Sequence, residues 1–98
     1  MIDAVGRGLK LDVRQLFQRN GRPNDGIDVN FIKIDVEGFE MQVLSGLEQT
    51  IRRCRPALFV EVQNTNMVEF NKYLASVGYR VEKLMRNGSF DNVIAVHA

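Results

Sequence analysis

Residues 31–46 read Phe-Ile-Lys-Ile-Asp-Val-Glu-Gly-Phe-Glu-Met-Gln-Val-Leu-Ser-Gly, an apolar run that stops on two carboxylates and a glycine and then takes on helical spacing. A strand that enters a helix through an acidic turn commits this part of the chain to an α/β sheet. In open sheets of that kind ligands bind beyond the carboxyl ends of the parallel strands. Asp35 and Glu37 therefore stand where a ligand, a metal or a proton transfer belongs. No glycine-rich strand-to-helix turn precedes this unit among the 98 residues. The usual backbone cradle for a nucleotide-like cofactor is expected to be missing from them.

The flanking pattern extends the unit in both directions. Phe31, Ile32, Ile34 and Val36, interrupted only by Lys33, suit a strand from Phe31 to Val36 that is covered on both faces. From Phe39 to about Cys54, Met41, Leu44, Leu47, Ile51 and Cys54 form one helical stripe, widened by Val43 and Thr50, and Pro56 ends it. Ala57 to Val62 repeats the buried-strand pattern and carries Glu61 near its carboxyl end. After the polar loop 63–66, Met67, Phe70, Leu74 and Val77 make a second helical stripe closed by Gly78. Tyr79 to Met85 and Asn92 to Val96 are strands around Asn87-Gly88, the strongest short hairpin signal. Ahead of the core unit, a short helix is expected from Val13 to about Arg19, with Asp12 as N-cap, Gln15 at the capping-box position and Gly21 as its stop. The stretch 21–28 has loop composition.

A chain of 98 residues holds one domain, residues 1–98, and buries roughly 60 to 70% of its unfolded surface. Thirteen basic against twelve acidic residues, without a long run of either sign, leave no nucleic-acid footprint. Arg52, Arg53 and Arg55 fall at a helix C-terminus, where cations complement the dipole and the exposed carbonyls. The single cysteine, Cys54, reads as a small buried apolar residue, because the one histidine, His97, is far along the chain and reads as a solvated terminal residue. No apolar run approaches the roughly 20 residues that cross a bilayer, and the start lacks a signal-peptide core. A cytoplasmic location without membrane contact is the expectation.

Three segments together resemble a known family: Lys33-Ile34-Asp35-Val36-Glu37-Gly38-Phe39-Glu40, then Val43-Leu44 with Gly46, then Arg55-Pro56-Ala57-Leu58-Phe59-Val60-Glu61-Val62. In this order and spacing they resemble the FkbM-type SAM-dependent methyltransferases, over about Leu11 to Val96. The resemblance implies the C-terminal half of a class I methyltransferase sheet, Rossmann-like, with parallel strands, crossover helices and a terminal antiparallel hairpin. It implies SAM as cofactor and O-methylation of a small metabolite or sugar hydroxyl. In that family the donor is gripped by a glycine-rich turn and an acid on strands that would lie before Met1. The 98 residues are therefore expected to be inactive alone and to need a complementing N-terminal half. The alternative is a non-catalytic binding or assembly module that keeps part of the fold.

Methyl transfer needs an acceptor oxygen held in line with the donor and relieved of its proton, a task for carboxylates or a carboxylate-bound metal. Asp35 is the first candidate and Glu37 the second. If the strand stays regular through Glu37, both side chains share one face. By analogy with other enzymes of the fold, Asp35, Glu61 and Asn64 are candidate ligands for a divalent metal. The structural alternative pairs Asp35 with Lys33, puts Glu37 and Glu40 at the helix dipole, and ties Glu61 within its loop. Gly38 is read as a turn residue and Gly46 as a close contact of helix on sheet. Tyr73 and Tyr79 are read as half-buried structural residues rather than acceptor contacts.

With no strand expected on the far side of residues 31–36, that edge is read as unpaired. The stripe of Met41, Leu44, Leu47 and Ile51, with Val13, Leu16 and Phe17, is read as short of cover. Both point to a homodimer that meets at this edge or its adjoining helices.

Overall fold

The computed structural model describes residues 1–17 and 28–98. Its elements are β1 (Ile2–Gly6), β2 (Leu9–Lys10), a 3-10 turn Val13–Leu16, β3 (Phe31–Ile34), α1 (Glu40–Cys54), β4 (Ala57–Gln63), a 3-10 turn Asn64–Asn66, α2 (Met67–Ser76), β5 (Tyr79–Asn87) and β6 (Phe90–His97). The six strands form one sheet in the order β2-β1-β3-β4-β6-β5.

Among the described strands β3 and β4 are the one neighbouring pair that runs parallel, with Ile32 opposite Leu58 and Ile34 opposite Val60, and α1 makes the crossover between them. The last strand, β6, returns antiparallel between β4 and β5, so α2 carries the chain over it to the sheet edge. The four C-terminal strands thus show the expected mix of a parallel pair, crossover helices and a terminal hairpin.

The period-2 pattern decides which side of the sheet is buried. Ile32, Ile34, Leu58, Val60, Val62, Val93 and Ala95 are buried with the α1 residues Leu44, Leu47 and Ile51 and the α2 residues Phe70 and Leu74. Both helical stripes are therefore core, and the stripe expected to lack cover has it: Leu44, Leu47 and Ile51 are fully buried, and Leu16 nearly so. α1 ends as its sequence dictates, with Arg52 and Arg53 in the last turn, Arg55 in the left-handed conformation at the cap, and Pro56 beyond.

The edge beside β3 is where the sequence reading fails. β1 pairs antiparallel with β3, Ile2 opposite Ile34 and Val5 opposite Phe31, so the edge read as open is closed by the chain's own N-terminal strand. Arg7 and Gly8, both at positive φ, make the β1–β2 turn. Two positive-φ centres are the geometry of a type I′ turn, here built without the usual Asn-Gly pair. The terminal hairpin shifts its turn by one residue: Asn87 pairs with Phe90, and the central residues are Gly88, at φ +67°, and Ser89. Glycine at the first central position is the type II′ arrangement.

Smaller differences concern ends and contacts. Asp12 caps the first turn, accepting the Arg14 N–H, but the turn is 3-10 and ends at Leu16. The expected continuation to Arg19, the Gly21 stop, the loop 21–27 and the side-chain roles of Val13 and Gln15 lie outside the described residues. Gly46 makes room for the Phe17 ring rather than for the sheet, since a Cβ there would sit 3.0 Å from that ring. His97 is half-buried and meets Tyr79 edge-on at 5.6 Å, so it is not a solvated terminal residue. Tyr79 donates from its buried hydroxyl to the Pro56 carbonyl at 2.6 Å, and Tyr73 reaches the Leu44 carbonyl at 3.4 Å; both tyrosines are structural. Burial pushes the Tyr79 hydroxyl pKa up to about 12, and that of Tyr73 higher. Cys54 is half-buried against the core. Among the described residues no helix is long and apolar enough to cross a membrane.

Candidate functional site

The carboxyl ends of the two parallel strands lie side by side, and the acids of the sequence motif collect there. β3 stops at Ile34, two residues earlier than its hydrophobic pattern suggests, so Asp35 and Glu37 lie in the turn and not on the strand. Glu37 adopts φ +46° and Gly38 φ +98°. These two left-handed residues turn the chain into α1. A Cβ on Gly38 would meet only ordinary contacts at 3.8 Å, so its requirement is conformational rather than spatial. The regular strand that would have put Asp35 and Glu37 on one face is absent. The turn nevertheless brings both to one open cavity of about 380 Å³, lined by Met1, Asp35, Val36, Glu37 and Phe39.

Phe39 lines that cavity too, although sequence reasoning gave it no role at a site. The residue is 64% exposed, a high value for an aromatic beside two carboxylates. A signal was present: Phe39 opens the helical stretch but falls outside its buried stripe of Leu44, Leu47 and Ile51.

Glu61 sits on β4 one residue past Val60, the partner of Ile34, which puts it beside Asp35 across the parallel pair. The two side chains are close enough to interact electrostatically. Glu61 holds its proton above the ordinary carboxylate value, first because of burial, then because of the hydrogen bond to Asp35 and the like charges of Asp35, Glu37 and Glu40. Lys33 does not relieve this cluster. Its ammonium lies over the Phe59 ring, 5.6 Å from the centroid, and forms no ion pair with Asp35.

Glu40 behaves unlike a dipole-capping acid. It is fully buried, and Oε1 accepts the Gln63 N–H at 2.8 Å and the Asn66 amide at 2.9 Å. The α1 N-cap position, Phe39, has no side-chain cap. Asn66 also donates to the Gly38 carbonyl at 3.4 Å. A second open cavity, about 440 Å³, lies between the starts of α1 and α2 and is lined by Gly38, Met41, Gln42, Ser45, Asn66 and Glu69.

The candidate metal set is not brought together. Asn64 is exposed, and its amide nitrogen donates to the Gly88 carbonyl at 3.0 Å while its N–H donates to the Ser89 carbonyl, so it serves the β5–β6 turn. Among the described residues no group of three or more His, Cys, Asp or Glu side chains is placed to hold a metal ion. With Asn64 engaged at that turn, Asp35 and Glu61 alone do not make up a ligand set for a divalent ion.

Comparison with curated proteins and with solved structures gave no match. The family model described as the methyltransferase FkbM domain matches residues 10–81, more than two thirds of the chain, and this span holds β3, α1, β4, α2 and all the acids described above. The chain belongs to the FkbM methyltransferase domain family.

Proposed function

We propose that this chain carries the acceptor side of an FkbM-type O-methyltransferase, with Asp35 as the group that takes the proton of the acceptor hydroxyl. The observation that supports this reading most directly is the placing of Asp35 in an open cavity at the end of a parallel strand, beside Glu61 on the neighbouring strand. SAM, the donor that membership of a methyltransferase family suggests, supplies when bound a methyl group on a positively charged sulfur. A site of clustered carboxylates is electrostatically matched to a cation.

The work of this chain's residues follows from their chemistry. An acceptor hydroxyl entering the cavity donates to Asp35, which draws off its proton as the oxygen becomes nucleophilic. Glu61, whose affinity for a proton is raised beside Asp35, sets the charge environment in which that carboxylate works. Glu37 offers a second acceptor oxygen at the cavity wall. Phe39 gives an apolar face against which the carbon skeleton of a sugar or small metabolite packs and excludes water.

The test is methyl transfer from radiolabelled SAM to hydroxylated acceptors, measured on the protein in the form that turns over. Asp35→Asn should lower turnover by about 100-fold or more while leaving the chain folded. Turnover unaffected by this substitution would overturn the assignment. For the 98 residues alone, calorimetry is expected to show no SAM binding tighter than millimolar. Micromolar binding would show that these residues suffice to hold the donor. A chain that assembles with a partner but supports no transfer in any form would favour the reading as a non-catalytic assembly module.

A further inference from the structure

Two loops frame the acidic site: the β3–α1 turn, which carries Asp35 and Glu37, and the β4–α2 junction, which follows Glu61. One buried side chain joins them. Glu40 opens α1 three residues after Glu37, and through Oε1 it takes the N–H of Gln63, the last residue of β4, and the side-chain amide of Asn66. Asn66 in turn holds the Gly38 carbonyl. Gln63 is 23 residues from Glu40 and Asn66 is 26 residues from it, so the contact is tertiary rather than a local cap.

The choice of residue is informative. A fully buried polar side chain is costly, and an apolar side chain of similar volume packs a core position better unless the accepting oxygen is needed for its hydrogen bonds. Glu40 Oε2 shows the cost: it is the one buried side-chain polar atom among the described residues without a partner. A glutamate retained under that penalty is serving the geometry that Oε1 maintains. We propose that Glu40 is a positioning residue that latches the β4–α2 junction onto the β3–α1 turn and so keeps Glu61 beside Asp35. The consequence for turnover rests on the proposed role of Asp35, whereas the latch itself is open to test without any reaction.

The test is residue-resolved amide hydrogen exchange by NMR on the wild-type chain and on Glu40→Ala and Glu40→Gln. Glu40→Ala should speed exchange of the Gln63 amide by about 10-fold or more, while the amides of Ile51 and Val93 keep their wild-type protection. Glu40→Gln, which keeps an accepting oxygen at the same reach, should restore the Gln63 amide to within about threefold of wild type. Unchanged Gln63 exchange in Glu40→Ala overturns the proposal, and so does a rise spread evenly over the core, which is the signature of a merely stabilising residue. Should Glu40→Ala fail to fold, Asn66→Ala removes the second strand of the latch. Its NMR shift changes should then be confined to residues 37–40 and 61–66, and changes absent from residues 37–40 count against the latch. In the form that turns over, Glu40→Ala should lower kcat and Glu40→Gln should recover it. A localised exchange effect without any effect on kcat would leave the latch standing and overturn its part in positioning the acids for turnover, while the role of Asp35 is decided by Asp35→Asn.

Discussion

Asp35 and Glu61 face each other across the ends of β3 and β4, one residue past the paired positions Ile34 and Val60, close enough for Asp35 to raise the proton affinity of Glu61. Two carboxyl groups in contact hold a proton between them more readily than either alone, and Glu61 is the one whose affinity for it is raised. The folded chain therefore keeps a proton that the unfolded chain has released. Stability is favoured below the ordinary carboxylate value of 4.5 and falls as pH rises from there through the raised folded value. This sign is opposite to that of a salt-bridged acid.

Glu61→Gln should for this reason melt at a higher temperature than wild type at about pH 7, with the gap closing as the pH is lowered toward 4.5. Thermal melts across that range measure it. A gap that does not change with pH would show that Glu61 does not couple its proton to folding. Asp35→Asn removes one of the charges that raise Glu61, so the carboxyl carbon shift of Glu61 should titrate at lower pH in that variant.

Glu37 holds a left-handed backbone at φ +46°. A side chain in that region costs about 1–2 kcal/mol, whereas glycine is free of this cost and loses about 0.5–1 kcal/mol of backbone entropy instead. Glu37→Gly should unfold in urea within about 1 kcal/mol of wild type or slightly above it. Glu37→Val, a β-branched residue at the same φ, should be clearly less stable. If glycine lowers stability more than valine does, the turn is not strained at this residue. Methyl transfer should fall in both variants, because both remove a carboxylate from the cavity.

The parallel unit was legible because its signals are long and local. The stripe of Leu44, Leu47 and Ile51, the acid-glycine turn at 35–38 and the stop at Pro56 each act within a few residues. What was missed depends on distance or on weak punctuation. The β1–β2 turn uses Arg7-Gly8 in place of Asn-Gly, and Ile2-Asp3-Ala4-Val5 is too short to declare a strand by alternation alone. Glu40 looks in sequence like any acid in a first helical turn. Its partners at Gln63 and Asn66 are a whole crossover away, and no spacing rule points to them. Asn64 illustrates the converse: its position after a parallel strand suggested a ligand, but a neighbouring hairpin had prior claim on its amide.

The same lesson governs assembly. A dimer joined at the β3 edge requires that edge to be free, and β1 occupies it through the pairs Ile2–Ile34, Asp3–Lys33, Ala4–Ile32 and Val5–Phe31. Two features hold β1 in place: Ala4 is fully buried against the core, and Gly6 packs so closely that a Cβ would lie 1.9 Å from the Asp28 carbonyl oxygen. Gly6→Ala should cost about 1–3 kcal/mol, as overpacking does, and Ala4→Asp should cost more by burying an unpaired charge. Once β1 leaves, β3 presents free N–H and C=O groups beside Lys33 and Asp35 alone, a template for a second chain. Light scattering should therefore give Ala4→Asp a mass above that of the wild-type chain, rising with concentration from the 11.2 kDa of one copy. An Ala4→Asp variant that unfolds without self-association would show that β1 is needed for folding rather than for shielding the edge. If wild type is itself a dimer and Ala4→Asp leaves its mass unchanged, the copies meet elsewhere than at β3.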